Sequence, residues 1–138
     1  MSRHFSLCIR KFSVCWLAFC ALALAGCSPS TPQATVAGFT TAIFQNHLDE
    51  AAGYLSPQNL PAQDKSRARE MLGAAAGQLY EKMLADGGWE GISVGKPEAL
   101  DGDQVRVKAV VTLKNGKTDE LVFTLAKESE IWKIVSTQ

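Results

Sequence analysis

The 138-residue chain has no cysteine after Cys27 and, beyond that point, a single histidine, His47. These shortages exclude a disulfide framework and leave no zinc-ligand spacing in the bulk of the chain. Long apolar runs are missing too. The stretch Phe12 to Ala25 holds 14 uncharged residues, roughly 21 Å as a helix against a hydrocarbon core of about 30 Å. Nor does one sign of charge dominate. The 14 Lys and Arg balance 14 Asp and Glu, which argues against a nucleic-acid binder built on a general basic surface. The balance conceals a split: residues 1–26 carry Arg3, Arg10 and Lys11 with no acid, a net of +3, while residues 27–138 carry 11 bases and 14 acids, a net of −3.

A basic start followed by a short apolar run is the layout of a secretory signal peptide, here residues 1–26. The run ends in Leu24-Ala25-Gly26-Cys27, followed by Ser28-Pro29-Ser30. These four residues resemble the lipobox of bacterial lipoproteins. The resemblance implies a diacylglyceryl group on the Cys27 thiol, cleavage before Cys27 and acylation of the new amino group. Several acyl chains, at about 0.8 kcal/mol per buried CH₂, anchor stably where one chain is marginal. The lipid on Cys27 is the only covalent group expected, and the membrane is the first expected partner. Ser28 stands where an Asp would resemble the inner-membrane retention signal of enteric bacteria. That points to the outer membrane of the cell envelope, with the domain in the periplasm. Residues 27–31 then form the lipidated cysteine and a tether of roughly 14 Å, at about 3.4 Å per residue.

Residues 32–138 form the expected domain. Ser30 or Thr31 can cap a helix with Pro32 in its first turn, and Val36, Phe39, Ile43 and Phe44 fall near one face of it. Asn46-His47 interrupts, and a short helix restarts over 48–55. After Ser56-Pro57 and Leu60-Pro61 a longer helix runs to Asp86, with Ala68, Leu72, Ala75, Leu79 and Met83 as its stripe. Gly87-Gly88 stops it. The period then changes from 3.6 to 2. Ile92 and Val94 open a first strand that Pro97 ends or confines to an edge, and Asp101-Gly102-Asp103 is a turn. Val105, Val107, Ala109, Val111 and Leu113 alternate with polar residues, and Leu121, Phe123 and Leu125 follow on the next strand. A three-residue loop at 114–116, with Gly116 left-handed, is the choice that puts both apolar sets on one face, since a one-residue slip would separate them. Similar parity pairs Trp132 with Leu125 and Ile134 with Phe123.

Three N-terminal helices packed on a four-stranded antiparallel sheet is an α+β layer. The runs Thr31-Pro32 to Phe39, Leu48-Asp49-Glu50-Ala51 to Leu55, Gly102-Asp103-Gln104-Val105, Asn115-Gly116-Lys117 and Ile131-Trp132-Lys133-Ile134 resemble one family. It comprises small bacterial lipoproteins with a nuclear-transport-factor-2-like domain of unknown function, a cystatin-like cone. Enzymes of that superfamily place titratable groups inside the cone, whereas the inward face expected here is wholly apolar. No catalytic or metal-binding residues are assigned. His47 reads as a solvated helix-end residue, Asp101-Gly102-Asp103 as a turn rather than a calcium loop, and Glu81, Asp86 and Glu90 as a solvated helix end.

Two functions fit. The first is a non-enzymatic interaction module. Its candidate interface is the reverse sheet face, where Val110, Val122, Ile131 and Val135 lie among Arg106 and Lys108. Mixed apolar and basic patches of this kind mark interfaces, and the resemblance implies dimerisation through this face; the expected partner is a second copy or another envelope protein, and the charge balance leaves no nucleic acid among them. The alternative is a small-molecule carrier or sensor with an apolar pocket between the long helix and the sheet. Gly73 and Gly77, expected to permit close approach, would line it with Tyr80, Trp89 and Trp132.

Overall fold

The computed structural model describes residues 31–138; the expected signal peptide, lipobox and Cys27 lie outside the described residues. Helix α1 spans Pro32–Phe44. Its cap is Thr31, whose Oγ1 accepts the Ala34 N–H at 3.1 Å, with Pro32 in the first turn. Val36, Phe39 and Ile43 are buried, as expected. So are Thr35 and Thr40, whose hydroxyls donate to carbonyls one turn back, Thr31 O at 3.2 Å and Val36 O at 2.8 Å. Phe44 departs from the expectation and stays 47% exposed. It lies in the last turn of α1 beside an edge strand, where no further strand continues the layer beneath it.

Asn46, with φ 59°, reverses the chain into α2, Leu48–Tyr54. Here the His47 N–H reaches back to Ala42 O at 2.8 Å, closing the helix end in the six-to-one manner of a left-handed terminus. Two 3₁₀ segments, Pro57–Asn59 and Ala62–Arg67, lead into α3, Ala68–Ala85. The buried members of α3 are Ala76 and Met83, with Leu79 and Tyr80 half-buried against the core. Ala75 is exposed, so the buried stripe runs through Ala76, one residue on from the expected position. Gly87 and Gly88, at φ 85° and 88°, terminate α3, and the Gly88 N–H bonds Met83 O at 3.0 Å.

The strands are β1 Trp89–Val94, β2 Glu98–Ala99, β3 Gln104–Leu113, β4 Thr118–Glu128 and β5 Ile131–Thr137, all antiparallel, in the order β1-β3-β4-β5. Two-residue β2 pairs with β3 after Pro97 has ended β1, adding a fifth strand to the expected four. The β3–β4 register is the expected one: Val105 faces Leu125, Val107 faces Phe123 and Ala109 faces Leu121. Gly116 has φ 80°, and the Leu113 N–H bonds Lys117 O at 2.8 Å.

The β4–β5 register corrects the expectation. Glu128 faces Ile131 across a two-residue turn, Ser129-Glu130, with φ 48° and 69°, a type I′ geometry. Ile134 therefore faces Leu125, and Trp132 faces Lys127. The slip is of two residues, so the apolar face survives it. A bulge with Val135 as the extra residue then shifts the ladder again, setting Ser136 opposite Thr124.

Helix α1 lies across the inner face, touching β1, β3 and β5, and the other two helices pack on α1 and on each other. Phe39 meets Phe123 edge to face at 6.1 Å. The inner residues Val107, Ala109, Val111, Leu121, Phe123, Leu125 and Ile134 are buried. At the β5 edge the chain folds back: Leu55 bridges Ile134 in parallel, and the Ser56 N–H bonds Ile134 O at 2.8 Å. The buried Ser56 hydroxyl donates to Glu128 Oε1.

Candidate functional site

The outer face of β3 and β4 is the mirror of the buried one. Strand alternation directs Arg106, Lys108 and Val110 outward because Val107, Ala109 and Val111 point in, and all three are exposed, Val110 at 40%. Val110 faces Glu120, Lys108 faces the half-buried Val122, and Arg106 lies between Glu98 on β2 and Thr124 on β4. Lys108 Nζ stands 4.0 Å from Glu120 Oε1. Lys133 turns away to the sheet edge, where its ammonium donates to Gly53 O at the end of α2. The face is thus a short apolar centre, Val110 and Val122, within a ring of both signs. Of the other expected members, Val135 sits at the β5 bulge. Ile131 faces Glu128, six residues along β4 from Val122, or about 20 Å away at 3.4 Å per residue. The structure brings Val110, Val122, Arg106 and Lys108 together and leaves Ile131 at the far end.

The five expected pocket residues do not converge. Trp89 is buried beside Leu113 at the hairpin end of the sheet, whereas half-buried Trp132 faces Lys127 on the opposite edge strand at the opposite end. The Trp132 carbonyl accepts from Thr35 Oγ1 at 3.4 Å. Half-buried Tyr80 packs against the core. The two glycines of α3 are not close approaches to the sheet: a methyl at Gly73 would meet nothing within 4 Å, and one at Gly77 would meet only Leu48 Cδ1 of α2, at 3.7 Å. Gly73 instead borders a surface groove of about 570 Å³ between α2 and the start of α3, walled by Asp49, Arg67, Arg69 and Glu70. Arg69 and Asp49 pair there at 3.6 Å, both almost fully exposed, and such pairs contribute little.

Among the glycines of the helices, the one in close contact is Gly38 on α1. A methyl there would lie 2.5 Å from the Tyr54 hydroxyl oxygen, so the phenol ring lies on bare helix backbone. No feature of the sequence around Gly38 distinguished it from Gly73 or Gly77. Burial, and secondarily the carboxylate of Glu50, push the Tyr54 hydroxyl above the ordinary tyrosine value.

A second hollow, of about 170 Å³, lies between the end of α1 and β1, bordered by Phe44, Trp89 and Glu90. Glu90 is a member of β1 rather than part of the end of α3. His47 is exposed at the α1–α2 turn, with Nδ1 3.5 Å from Glu50. Among the described residues no three His, Cys, Asp or Glu side chains gather as a metal site would require, and no helix is long and apolar enough to cross a membrane.

No protein-family model and no curated protein matches the chain. Solved structures do. A protein from Campylobacter jejuni named an NTF2-like transpeptidase superimposes with a TM-score of 0.58 at 15% identity, over 77% of this chain and 99% of its own. The fold is nuclear-transport-factor-2-like. A SEC-C-motif-containing protein from Rhodopseudomonas palustris is similar with a TM-score of 0.53 at 10% identity, over 79% of this chain and 78% of its own. At these identities the nuclear-transport-factor-2-like likeness is one of backbone path.

Proposed function

We propose that the chain is a lipid-anchored module of the bacterial cell envelope that acts by docking rather than by chemistry. The docking surface is the outer face of β3 and β4, and the partner it fits best is a second copy of the chain. The exposed Val110, with Arg106 and Lys108 exposed beside it on the outer face, carries this reading. The surrounding charges support it, because Glu98 and Glu120 stand among Arg106 and Lys108, so the same surface turned on itself can match acid with base. The whole outer face is of adequate size: four strands averaging about 29 Å long and spaced about 4.8 Å apart give roughly 550 Å² per copy, or about 1,100 Å² for the pair, of which β3 and β4 supply somewhat over half, against the total of about 1,000 Å² that a specific pair needs.

The non-enzymatic part rests on the inner face, whose buried side chains on β3, β4 and β5 are all apolar. The transpeptidase name of the Campylobacter protein finds little to attach to here. There is no cysteine after Cys27, and His47 is exposed beside Glu50, whereas covalent acyl transfer calls for a nucleophile with a base in reach. The anchor rests on the lipobox resemblance at Leu24-Ala25-Gly26-Cys27.

The test uses the full chain expressed in a bacterial host and purified in non-ionic detergent. The mature product should begin at Cys27 with the mass of a triacylated cysteine, and Cys27→Ser should release it from membranes. Sedimentation should give a dimer of wild type, and Val110→Asp or Val122→Asp should give monomers with unchanged circular dichroism. A monomeric wild type, or dimers in both variants, overturns the docking face. An unmodified Cys27 overturns the anchor.

A further inference from the structure

At the middle of the outer face of β3 and β4, four side chains stand at the corners of a rectangle. Antiparallel pairing sets Val110 opposite Glu120 and Lys108 opposite Val122. Same-face residues are two apart along each strand, so the valines occupy one diagonal and Lys108 and Glu120 the other. Lys108 Nζ reaches along its diagonal to 4.0 Å from Glu120 Oε1, with the two side chains 49% and 55% exposed. A pair this long and this wet contributes little. It also leaves capacity on both groups, because an ammonium has three donors and a carboxylate two acceptor oxygens. The flanking rows are Thr112 with Thr118 and Arg106 with Thr124, so Glu120 is the only acid in these four rows.

A second copy meets this rectangle under a two-fold rule: if one residue touches another, the reverse contact is made as well. An axis lying between the two sheets along the strands sets Val110 against Glu120 and Lys108 against Val122. An axis across the strands sets Val110 against Lys108 and Glu120 against Val122. Both press a charge onto an apolar group, which is costly. Along the Lys108–Glu120 diagonal the axis joins Val110 to Val122 but sets each charge on its own like. Along the Val110–Val122 diagonal each valine meets its own copy, and Lys108 meets the second copy's Glu120 twice over. With strands about 4.8 Å apart and same-face neighbours about 6.8 Å apart, that Glu120 stands within about 3 Å of the point facing Lys108, inside the swing of a lysine side chain. Resting on the sheet-face dimer above, we propose that its two-fold axis runs along the Val110–Val122 diagonal and that two reciprocal Lys108–Glu120 pairs select a second copy as the partner. The four charges then alternate in sign about the axis.

Lys108→Glu and Glu120→Lys are made separately in the full chain, and dimer dissociation is followed by sedimentation in non-ionic detergent. Each variant alone places like charges at both contacts. Its dimer Kd should rise about tenfold, or about 1.4 kcal/mol, shared between two exposed pairs. An equimolar mixture of the two variants should form a heterodimer with an affinity close to wild type, since one copy then offers two acids and the other two bases. Neither chain of the mixture regains its internal pair, so the recovery reports contact between copies. Lys108→Glu with Glu120→Lys in one chain should also dimerise as wild type does. Single variants that dimerise as wild type, or no recovery in the mixture or in the double exchange, would each overturn the proposal. If Val110→Asp is still monomeric beside such a result, the axis is rejected and the docking face stands. A monomeric wild type rejects both.

Discussion

Gly38 provides a quantitative test of the helix packing. A methyl group at this position would lie 2.5 Å from Tyr54 Oη, 2.7 Å from Cζ and 2.9 Å from Cε1, where ordinary contact begins at 3.4 Å. The phenol edge would have to retreat by about 0.9 Å, and Tyr54 is itself packed against the core. Overpacking of this kind costs about 1–3 kcal/mol. Alanine in a helix interior recovers about 1 kcal/mol over glycine, so Gly38→Ala should destabilise the protein by about 1 kcal/mol. With Tyr54→Ala already present the obstruction is gone, and the same Gly38→Ala change should stabilise by about 1 kcal/mol. The sign reverses, and the coupling is about 2 kcal/mol. Urea unfolding of wild type, the two single variants and the double variant measures it directly. Tyr54→Phe leaves Cζ and Cε1 in place and should rescue only part. A coupling below about 0.5 kcal/mol, the scatter of independent sites, would refute the close approach of α1 to the ring.

Three further expectations concern other elements. Replacing the β4–β5 turn by Ser129→Asn with Glu130→Gly should raise stability by about 1 kcal/mol in thermal melts, because both positions have positive φ and these residues carry little left-handed penalty. A loss would mean the turn is not type I′. Gly73→Ala should also stabilise, by about 0.5–1 kcal/mol, since the new methyl meets open space; destabilisation in the same melts would show that something covers that helix surface. The Tyr54 hydroxyl is held above its ordinary value by burial first and Glu50 second, so the fold favours the neutral phenol. Its contribution should be complete below about pH 10 and lost as pH rises through the folded value. Tyr54→Phe should therefore lose less melting temperature than wild type on going from about pH 9 to pH 11, and equal losses would exclude the effect.

The elements most legible in sequence were those fixed by a parity argument. The β3–β4 register followed because only one loop length puts Val107 and Phe123 on the same face, and Gly116 supplies the conformation that loop requires. The β4–β5 register did not follow, since Ser129-Glu130 lacks the Asn-Gly signature and a bulge adds a residue beyond it. The inner face was still assigned correctly, because a slip of two preserves parity. Phe44 illustrates the limit of helical periodicity, which fixes the side of a helix but not where the neighbouring sheet ends. Glycine spacing misled for a related reason. Gly73 and Gly77 attracted notice by their interval, but whether a glycine is needed depends on the neighbour opposite it, and only Gly38 has a ring pressed against it. The aromatic residues were likewise visible as a set, while their separation to opposite corners depends on strand order.

The treatment of the sheet edges bears on how far copies of this chain can associate. Leu55 and Ser56 occupy the edge of β5, and the bulge at Glu90 interrupts the edge of β1. Addition of a strand to a free edge regenerates a free edge, so such growth has no natural end and leads toward fibres. Pairing through a two-fold axis on the sheet face consumes the same surface on both molecules and stops there. With both edges obstructed among the described residues, pairing through the sheet face as proposed would terminate, even at high local concentration.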